Sequence, residues 1–553
     1  MLKDDLAQTI EDAIRRAQDE GALPAFDLPP IPVEHPKRRT AGDYATPVCM
    51  QLARLARKSP MDIAETLIRF LPPLECLSGV EVARPGFVNF TLDDCWLARQ
   101  VGEILRAGVS FGNLDLGQGR RMQVEYISGN PTGPLHIGHG RNAVIGDAVA
   151  NVLQAAGWSV QREYYINDAG SRMQAFYETL YARYVQEMGR DEPVPEEGYA
   201  GHYMVELARE IVASEGSRFL DVPRKDAIDE LGKIGLDKML ESIRVDAGRL
   251  GISYDRWFSE QSLYDDGTFD EALALLRDKG YVEEKDGALW FRATLLGGSK
   301  DEVIIRSDGT PGYFASDIAY HYDKFVKRGF EWVIDVWGAD HQGHVPRMKS
   351  LMRALELDPE RLTIILYQLV TLKRGGEVIR LSKRTGDMIT LREVAEDVGA
   401  DAVHFFLLSR SSDSQMDFDL DLAREQSDEN PVYYVQYAHA RIASILRYAG
   451  DVGYDEADLS LLCEEPELQL VRKLLEFPEV IEMSASALAP HHLSYYAQSL
   501  AGAFHSFYKQ CRVISSEPAH KERNKARLAL VSAAKMVLYR ALTMMGMNAP
   551  EKM

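Results

Sequence analysis

The segment richest in chemically capable residues is Asn130-Pro131-Thr132-Gly133-Pro134-Leu135-His136-Ile137-Gly138-His139-Gly140-Arg141. Two histidines spaced H-x-x-H around a glycine fall where a strand pattern gives way to a helical one. A helix N-terminus there offers unpaired amide donors and the positive end of its dipole, a ready anion site. Imidazoles beside it can donate to phosphate oxygens, and Gly138 lets a flat nucleobase approach the backbone. Three other readings compete. Gly138-x-Gly140-x-x-Ala143 fits the dinucleotide fingerprint with Glu163 about twenty residues on, but that fingerprint places its first glycine directly after the strand. Here about ten residues intervene, Pro131 and Pro134 among them. A metal site would need further His, Cys or carboxylate ligands at fixed spacing, and none is adjacent. Two capping histidines without chemistry are the bland alternative.

Two more patterns carry chemistry. Arg380-Leu381-Ser382-Lys383-Arg384-Thr385-Gly386 is a basic, glycine-terminated loop, weak as a signal by itself. In Gly312-Tyr313-Phe314-Ala315-Ser316-Asp317, Tyr313 and Asp317 are spaced i,i+4, so one helix face can present both to one ligand. The ordinary reading of that pair is a surface aspartate and a core tyrosine.

The elements that must position these residues separate into four patterns. Residues 1–112 open with a helix (Leu6, Ile10, Ala13, Ile14, Ala17), continue through a proline-rich turn from Pro24 to Pro36 and a second helix, and end in Pro85-Gly86-Phe87-Val88-Asn89-Phe90-Thr91-Leu92. That predicts a small α+β domain, with Gly112–Gly119 as a linker. From Met122 the pattern is α/β. A short strand around Val124 and Tyr126, a helix from about His139 to Ala156 stopped at Gly157, and a strand Val160–Ile166 form a βαβ unit, hence a right-handed crossover in a parallel sheet. Residues 180–260 read as a helical, acidic insertion, and strands return near Trp332–Trp337 and Leu362–Leu372. Residues 113–429 thus form the α/β domain, and 430–553 an all-α domain in which the charge-free stretch Met483–Tyr508 reads as one amphipathic helix.

Composition bounds the rest. With 553 residues, 46% hydrophobic and 27% charged, the chain is an ordinary soluble multidomain protein. Cys49, Cys76, Cys95, Cys463 and Cys511 form no C-x-x-C pair, so neither a disulfide framework nor a structural zinc is expected, and a reducing cytoplasm is the simplest setting. No signal peptide or membrane span is expected. The net charge of −21 disfavours indiscriminate nucleic-acid binding. From Ala501 onward, however, Lys509, Arg512, Lys521, Arg523, Lys525, Arg527, Lys535, Arg540 and Lys552 face only Glu517, Glu522 and Glu551. Such a basic face can bind RNA or can be a solvated helix surface.

Val124-Glu125-Tyr126-Ile127-Ser128-Gly129-Asn130 running into His136-Ile137-Gly138-His139 resembles the class I aminoacyl-tRNA synthetases, and among them the arginyl-tRNA synthetases. The loop at Arg380–Gly386 is similar to the second class signature, K-M-S-K-S, with arginine and leucine in place of its first lysine and methionine and with Lys383 retained. Gly42-Asp43-Tyr44-Ala45-Thr46, Tyr164-Tyr165-Ile166-Asn167-Asp168-Ala169-Gly170, Gly338-Ala339-Asp340-His341 and Asn430-Pro431-Val432-Tyr433-Tyr434-Val435-Gln436-Tyr437 extend the likeness over the chain.

The resemblance implies a Rossmann-like parallel-sheet catalytic domain with helical insertions, a small N-terminal α+β domain that contacts tRNA and a C-terminal all-α bundle that binds the anticodon. It implies ATP-dependent formation of arginyl-adenylate with release of pyrophosphate, then transfer to the 2′-hydroxyl of the terminal adenosine. His136, His139 and Lys383 would be catalytic. His136, Gly138, His139, Gly338, Asp340, His341, Ser382, Lys383 and Arg384 would hold ATP with Mg²⁺. Glu125, Ser128, Asn130, Tyr313 and Asp317 would hold arginine. Tyr433, Tyr437, Lys521, Lys525 and Arg540 are the candidate tRNA contacts, and a cytoplasmic monomer that needs tRNA before adenylate forms is expected. The alternatives are another class I synthetase, a non-catalytic relative that binds RNA or protein, and a small-molecule nucleotidyltransferase. The first would lack the Glu125, Tyr313 and Asp317 acceptors, the second the signature histidines or Lys383, and the third a basic helical domain.

Overall fold

The structure is a computed structural model that describes residues 1–36, 41–379, 389–450, 452–454 and 456–553. The expectations for Ser382, Lys383 and Arg384 lie outside the described residues.

The first helix, Leu2–Asp19, buries Leu6, Ile10, Ala13, Ile14 and Ala17, the stripe that its periodicity predicts. It packs with the helices Val48–Ala56 and Pro60–Phe70 and an antiparallel sheet of β1 (Tyr44–Thr46), β2 (Leu77–Ala83) and β3 (Phe87–Leu92), ordered β1-β3-β2. The glycine-rich stretch expected as a linker is docked: Leu114, Gly117 and Gly119 donate to the carbonyls of Ala155, Ala156 and Gly157.

The central sheet comprises β4 (Arg121–Glu125), β5 (Ser159–Ile166), β6 (Arg256–Ser259), and, after a small antiparallel sheet of β7 (Val282–Lys285), β8 (Ala288–Phe291) and β9 (Glu302–Ile305), β10 (Trp332–Gly338) and β11 (Leu362–Tyr367). All its pairs are parallel, in the order β11-β10-β4-β5-β6. The chain winds one way from β4 to β6 and then returns to the other side of β4, so the switch point lies between β4 and β10, where open α/β sheets bind ligands. Helices Ser171–Glu187, His202–Glu215 and Arg224–Arg249 form the expected insertion between β5 and β6.

Two expectations need correction. The strand expected over Leu362–Leu372 is two: β11 belongs to the central sheet, whereas β12 (Val370–Arg374) pairs with β13 (Glu377–Val378) and β14 (Met416–Asp419). Gln368 sits at the break, donating its N–H to the Ser412 carbonyl. The single helix expected over Met483–Tyr508 is likewise two, Phe477–Ser486 and His491–Gln510. Leu488 takes a positive φ of 49°, and Pro490 cannot supply the amide a continuous helix needs. The apolar residues Leu493, Tyr496, Ala497, Leu500, Phe504 and Phe507 are nevertheless all buried.

The helix Ile137–Ala155 is the axle of the catalytic region and is buried on nearly all sides. Arg141 is fully buried and donates to the carbonyls of Gln368 (2.7 Å) and Ser411 (2.9 Å), tying this helix to the turns flanking β12 and β14. Gly146 permits close approach to β4: a Cβ there would lie 2.3 Å from the Tyr126 side chain. Alanine favours helix by about 1 kcal/mol over glycine, but overpacking costs about 1–3 kcal/mol. Gly146→Ala is therefore expected to lower the thermal midpoint of the catalytic region. A raised midpoint in a calorimetric scan would show that the strand yields freely.

Candidate active site

The switch point gathers most of the sequence-predicted residues. His136 is the N-cap of the Ile137–Ala155 helix, with extended backbone (φ −115°, ψ 175°). Its Nδ1 accepts the Gly138 N–H at 3.1 Å, and His139 Nδ1 accepts the His136 N–H at 3.2 Å. A backbone N–H can only donate, so each Nδ1 is unprotonated and each neutral ring carries its proton on Nε2. The rings stack with centroids 3.8 Å apart. Burial lowers the pKa of His136, and burial with the neighbouring His136 lowers His139 to about 3, so both act as neutral donors near pH 7. Gly138 is needed here, because a Cβ would lie 2.9 Å from the His136 ring.

The turn that joins β4 to this helix is strained. Ile127 (φ 64°) and Ser128 (φ 43°) adopt left-handed backbone, an uncommon choice for non-glycine residues and most of all for a β-branched one. Asn142 pins it, accepting the Ile127 N–H (2.6 Å) and donating to the Val336 carbonyl of β10 (2.8 Å). Asn167 donates to the Ser128 carbonyl and Tyr164 to the Gly129 carbonyl. Ser128 Oγ donates to Glu125 at 2.9 Å and accepts the Tyr165 N–H. Asn130 is exposed on the same loop.

Glu125 ends β4 and is nearly buried. Its Oε2 receives Lys324 Nζ at 2.6 Å, and the same ammonium reaches Asp335 of β10 at 2.8 Å. Asp317, one turn after Tyr313, pairs with Arg347 at 3.3 Å, and Glu260, directly after β6, accepts the Ser316 hydroxyl. Burial raises the pKa of the Tyr165 phenol, and the charges of Glu260, Asp317 and Glu125 raise it further. Burial and the charges of Asp168 and Asp317 push Glu260 up to about 7 against the Ser316 hydroxyl. Tyr313 is 73% exposed, so it is no core residue, and the Arg306 guanidinium lies over its ring at 5.6 Å. Gly338 ends β10, with Asp340 and His341 exposed just beyond it.

Sequence reasoning missed Glu260, Lys324, Arg347 and Asn142. The signal for Glu260 was present, an acid at the carboxyl end of a parallel strand. Lys324 has no motif; it emerges from a π turn, Asp323–Lys327. Thr390, the second described residue after position 388, bridges to His136.

The candidate tRNA contacts divide. Tyr433 and Tyr437 are half-buried and stack at 5.9 Å, with the Arg441 guanidinium over Tyr437 and Tyr508. Lys521 is exposed, and Lys525 lies 3.0 Å from Glu522. Arg540 does not fit the expected role: it is buried and donates to the Phe111 carbonyl (2.6 Å) and Asn113 Oδ1 (2.8 Å). Much of the basic excess is spoken for in the same way, Arg527 by Glu464 and Glu467 and Lys535 by Glu551. Among the described residues no group of three His, Cys, Asp or Glu side chains could hold a metal ion, and no helix is long and apolar enough to cross a membrane.

Comparison with known proteins gives this geometry a family. The arginyl tRNA synthetase N terminal domain matches residues 3–92, the catalytic domain of class I (R) tRNA synthetases matches 100–405, and the DALR anticodon binding domain matches 435–553. An arginine–tRNA ligase of Dehalococcoides mccartyi (strain CBDB1) is 52% identical over 100% of this chain and 99% of its own. One of Carboxydothermus hydrogenoformans is 50% identical over 98% and 97%. The solved arginyl-tRNA synthetase of Thermus thermophilus superposes with a TM-score of 0.77 at 25% identity, with 100% of both chains covered. Three domain matches that follow one another along the chain and full-length relatives of this closeness lead to one conclusion: the chain belongs to the arginyl-tRNA synthetases of class I.

Proposed function

We propose that the two steps of arginine–tRNA ligation share the junction of β4 and β10, with the following residues in each role. The observation that carries this assignment is the placing of Glu125 at the end of β4 and of Glu260 directly after β6, where it accepts from Ser316, the neighbour of Asp317, in a sheet whose switch-point helix begins with two imidazoles fixed as neutral Nε2–H donors. A guanidinium presents five donors in a plane and needs several acceptors around it, which a lysine ammonium would leave partly unused. Asp317 and Glu260 take the guanidinium, with Tyr313 against it. Glu125 takes the α-ammonium, and Ser128 and Asn130 line the carboxylate end.

ATP, entering with Mg²⁺ as its substrate complex, lies over Gly138 with its phosphates toward His136 and His139 and its ribose toward Gly338, Asp340 and His341. The arginine carboxylate attacks the α-phosphorus, pyrophosphate leaves, and the 2′-hydroxyl of the terminal adenosine of tRNA then attacks the adenylate carbonyl. Donors set before the reaction begins stabilise the charge that builds on the phosphate oxygens without reorganising. Ser382, Lys383 and Arg384 complete the phosphate set on the evidence of sequence. The Tyr433–Tyr437 stack, supported by Arg441, is suited to unpaired anticodon bases.

Asp317→Ala is expected to reduce kcat/KM for arginine by the equivalent of about 2–5 kcal/mol, since it removes one acceptor and leaves Arg347 with Glu302 alone of its two carboxylate partners. Steady-state aminoacylation kinetics check this, and unchanged values would take Asp317 out of the pocket. Glu260 supplies a pH test. A carboxyl with pKa about 7 is half protonated at neutral pH and must ionise to receive a guanidinium. Arginine binding near pH 7 should therefore release a fraction of a proton, and arginine KM should fall as pH rises through 7. Calorimetry in two buffers of different ionisation enthalpy measures the release, and Glu260→Gln should abolish it. On the tRNA side, Lys521→Ala with Lys525→Ala should flatten the slope of log K against log[salt] by about 1–2 units. Arg540→Ala should lower thermal stability and leave that slope alone; a slope change from Arg540 alone would restore it as a phosphate contact.

A further inference from the structure

Lys324 is the least accessible lysine in the site, with 0% of its surface exposed. The helix Tyr313–Tyr322 passes into the π turn Asp323–Lys327, whose wider winding turns Asp323, Lys324 and Phe325 inward together. The ammonium lies 4.0 Å above the Tyr320 ring and spans two carboxylates, Glu125 and Asp335. These are register partners on adjacent parallel strands, so their side chains stand next to each other. Asp335 keeps a second partner, His321, at 3.0 Å, whereas Glu125 has only the Ser128 hydroxyl on its other oxygen.

We propose that Lys324 is a positioning residue for the amino-acid site, holding Glu125 ionised and aimed to receive the α-ammonium of arginine. The inference rests on the assignment of that ammonium to Glu125. Two adjacent buried carboxylates cannot both stay ionised without a cation between them. His321, set between the Asp317 carbonyl and Asp335, serves Asp335, so among the described residues Lys324 is the cation that Glu125 depends on, and the other Glu125 oxygen, held by the Ser128 hydroxyl, is left to receive the substrate's ammonium. Stability alone does not call for this arrangement, because an apolar side chain of similar size commonly serves as well as a buried ion pair. If the lysine is removed, the proton goes to Glu125, the acid with fewer remaining donors. The other titratable groups around this pair are His321, which faces Asp335, and the phenols of Tyr165, Tyr254 and Tyr320, which supply no positive charge.

The test is arginine KM and kcat in aminoacylation from pH 6 to 8.5 for wild type, Lys324→Met, Lys324→Arg and Glu125→Gln, each expressed as a ratio to wild type so that Glu260 and the substrate's own titration cancel. Lys324→Met should raise arginine KM by about 10–100-fold at pH 6–7, and the ratio should shrink as pH rises and Glu125 regains its charge. Its KM for ATP should stay within about twofold of wild type. Lys324→Arg keeps the charge and should give a ratio independent of pH, as should Glu125→Gln, which loses the carboxylate altogether. A Lys324→Met ratio that is constant across pH, with Glu125→Gln still impaired, would make Lys324 a packing residue and overturn the proposal. A Glu125→Gln variant with normal arginine KM would instead overturn the assignment of Glu125, and the proposal with it. Should Lys324→Met fail to fold, Lys324→Gln fills similar space with a neutral hydrogen-bonding side chain and carries the same expectation.

Discussion

Parallel strands that part at a switch point leave backbone groups beyond their last shared hydrogen bond, and buried groups of that kind must find partners. One amide side chain, Asn142, meets this need by accepting from Ile127 beyond β4 and donating to Val336 in β10. Because Asn142 rides on the helix capped by His136, the same two bonds fix the signature histidines relative to Glu125 at the end of β4, the two ends of the proposed site. They also help hold Ile127 and Ser128 in left-handed backbone, a conformation that costs about 1–3 kcal/mol per residue and persists only where the surroundings over-determine it. Tyr164, Tyr165 and Asn167 at the end of β5 provide that surplus of restraint.

Buried charge serves two different ends in this molecule. At the junction of β4 and β10, Lys324 and His321 meet Glu125 and Asp335, and in the proposed assignment these acids, with Glu260 and Asp317 close by in the fold, serve a substrate that carries two positive groups. In the C-terminal bundle the balance is closed: the Arg527 guanidinium reaches Glu464 and Glu467 from the last helix and joins it to the helix that begins at Glu465. The same residue type thus gives an open electrostatic site in one domain and an internal fastening in another. Counting lysines and arginines along the chain cannot separate the two, since pairing with distant acids decides which applies.

The helical stripe of Leu2–Asp19, the βαβ unit and the placement of the two histidines where a strand gives way to a helix were legible in the sequence, because each is set by local period or by residue type at a strand-to-helix junction; that His136 itself caps the helix was read only as the bland alternative. The single helix expected over Met483–Tyr508 was misread because its apolar residues keep helical spacing on both sides of Pro490. The parts of the pocket that stayed hidden depend on long-range meetings. Lys324 lies 199 positions from Glu125, and Arg347 30 positions from Asp317. The π turn that aims Lys324 inward leaves no trace in a pattern of period 3.6. Tyr313 was visible as a spacing with Asp317, yet only the fold shows that its ring is exposed and lies under the Arg306 guanidinium.

The clamp formed by Arg540 bears on how this molecule can change over evolutionary time or in an engineer's hands. The last helix is held to the stretch before β4 through Phe111 and Asn113, and its end meets the signature helix where Asn151 donates to the Met544 carbonyl. Gly546 lies so close to His404 that a Cβ would clash with the imidazole, and Gln436 reaches both Asp401 and the Asn548 carbonyl. The anticodon-binding region is therefore not an interchangeable module hung from a hinge. A graft or truncation near position 430 would strip the catalytic region of a wall as well as an RNA contact, and exchange between relatives should succeed only when both faces of this seam are inherited together.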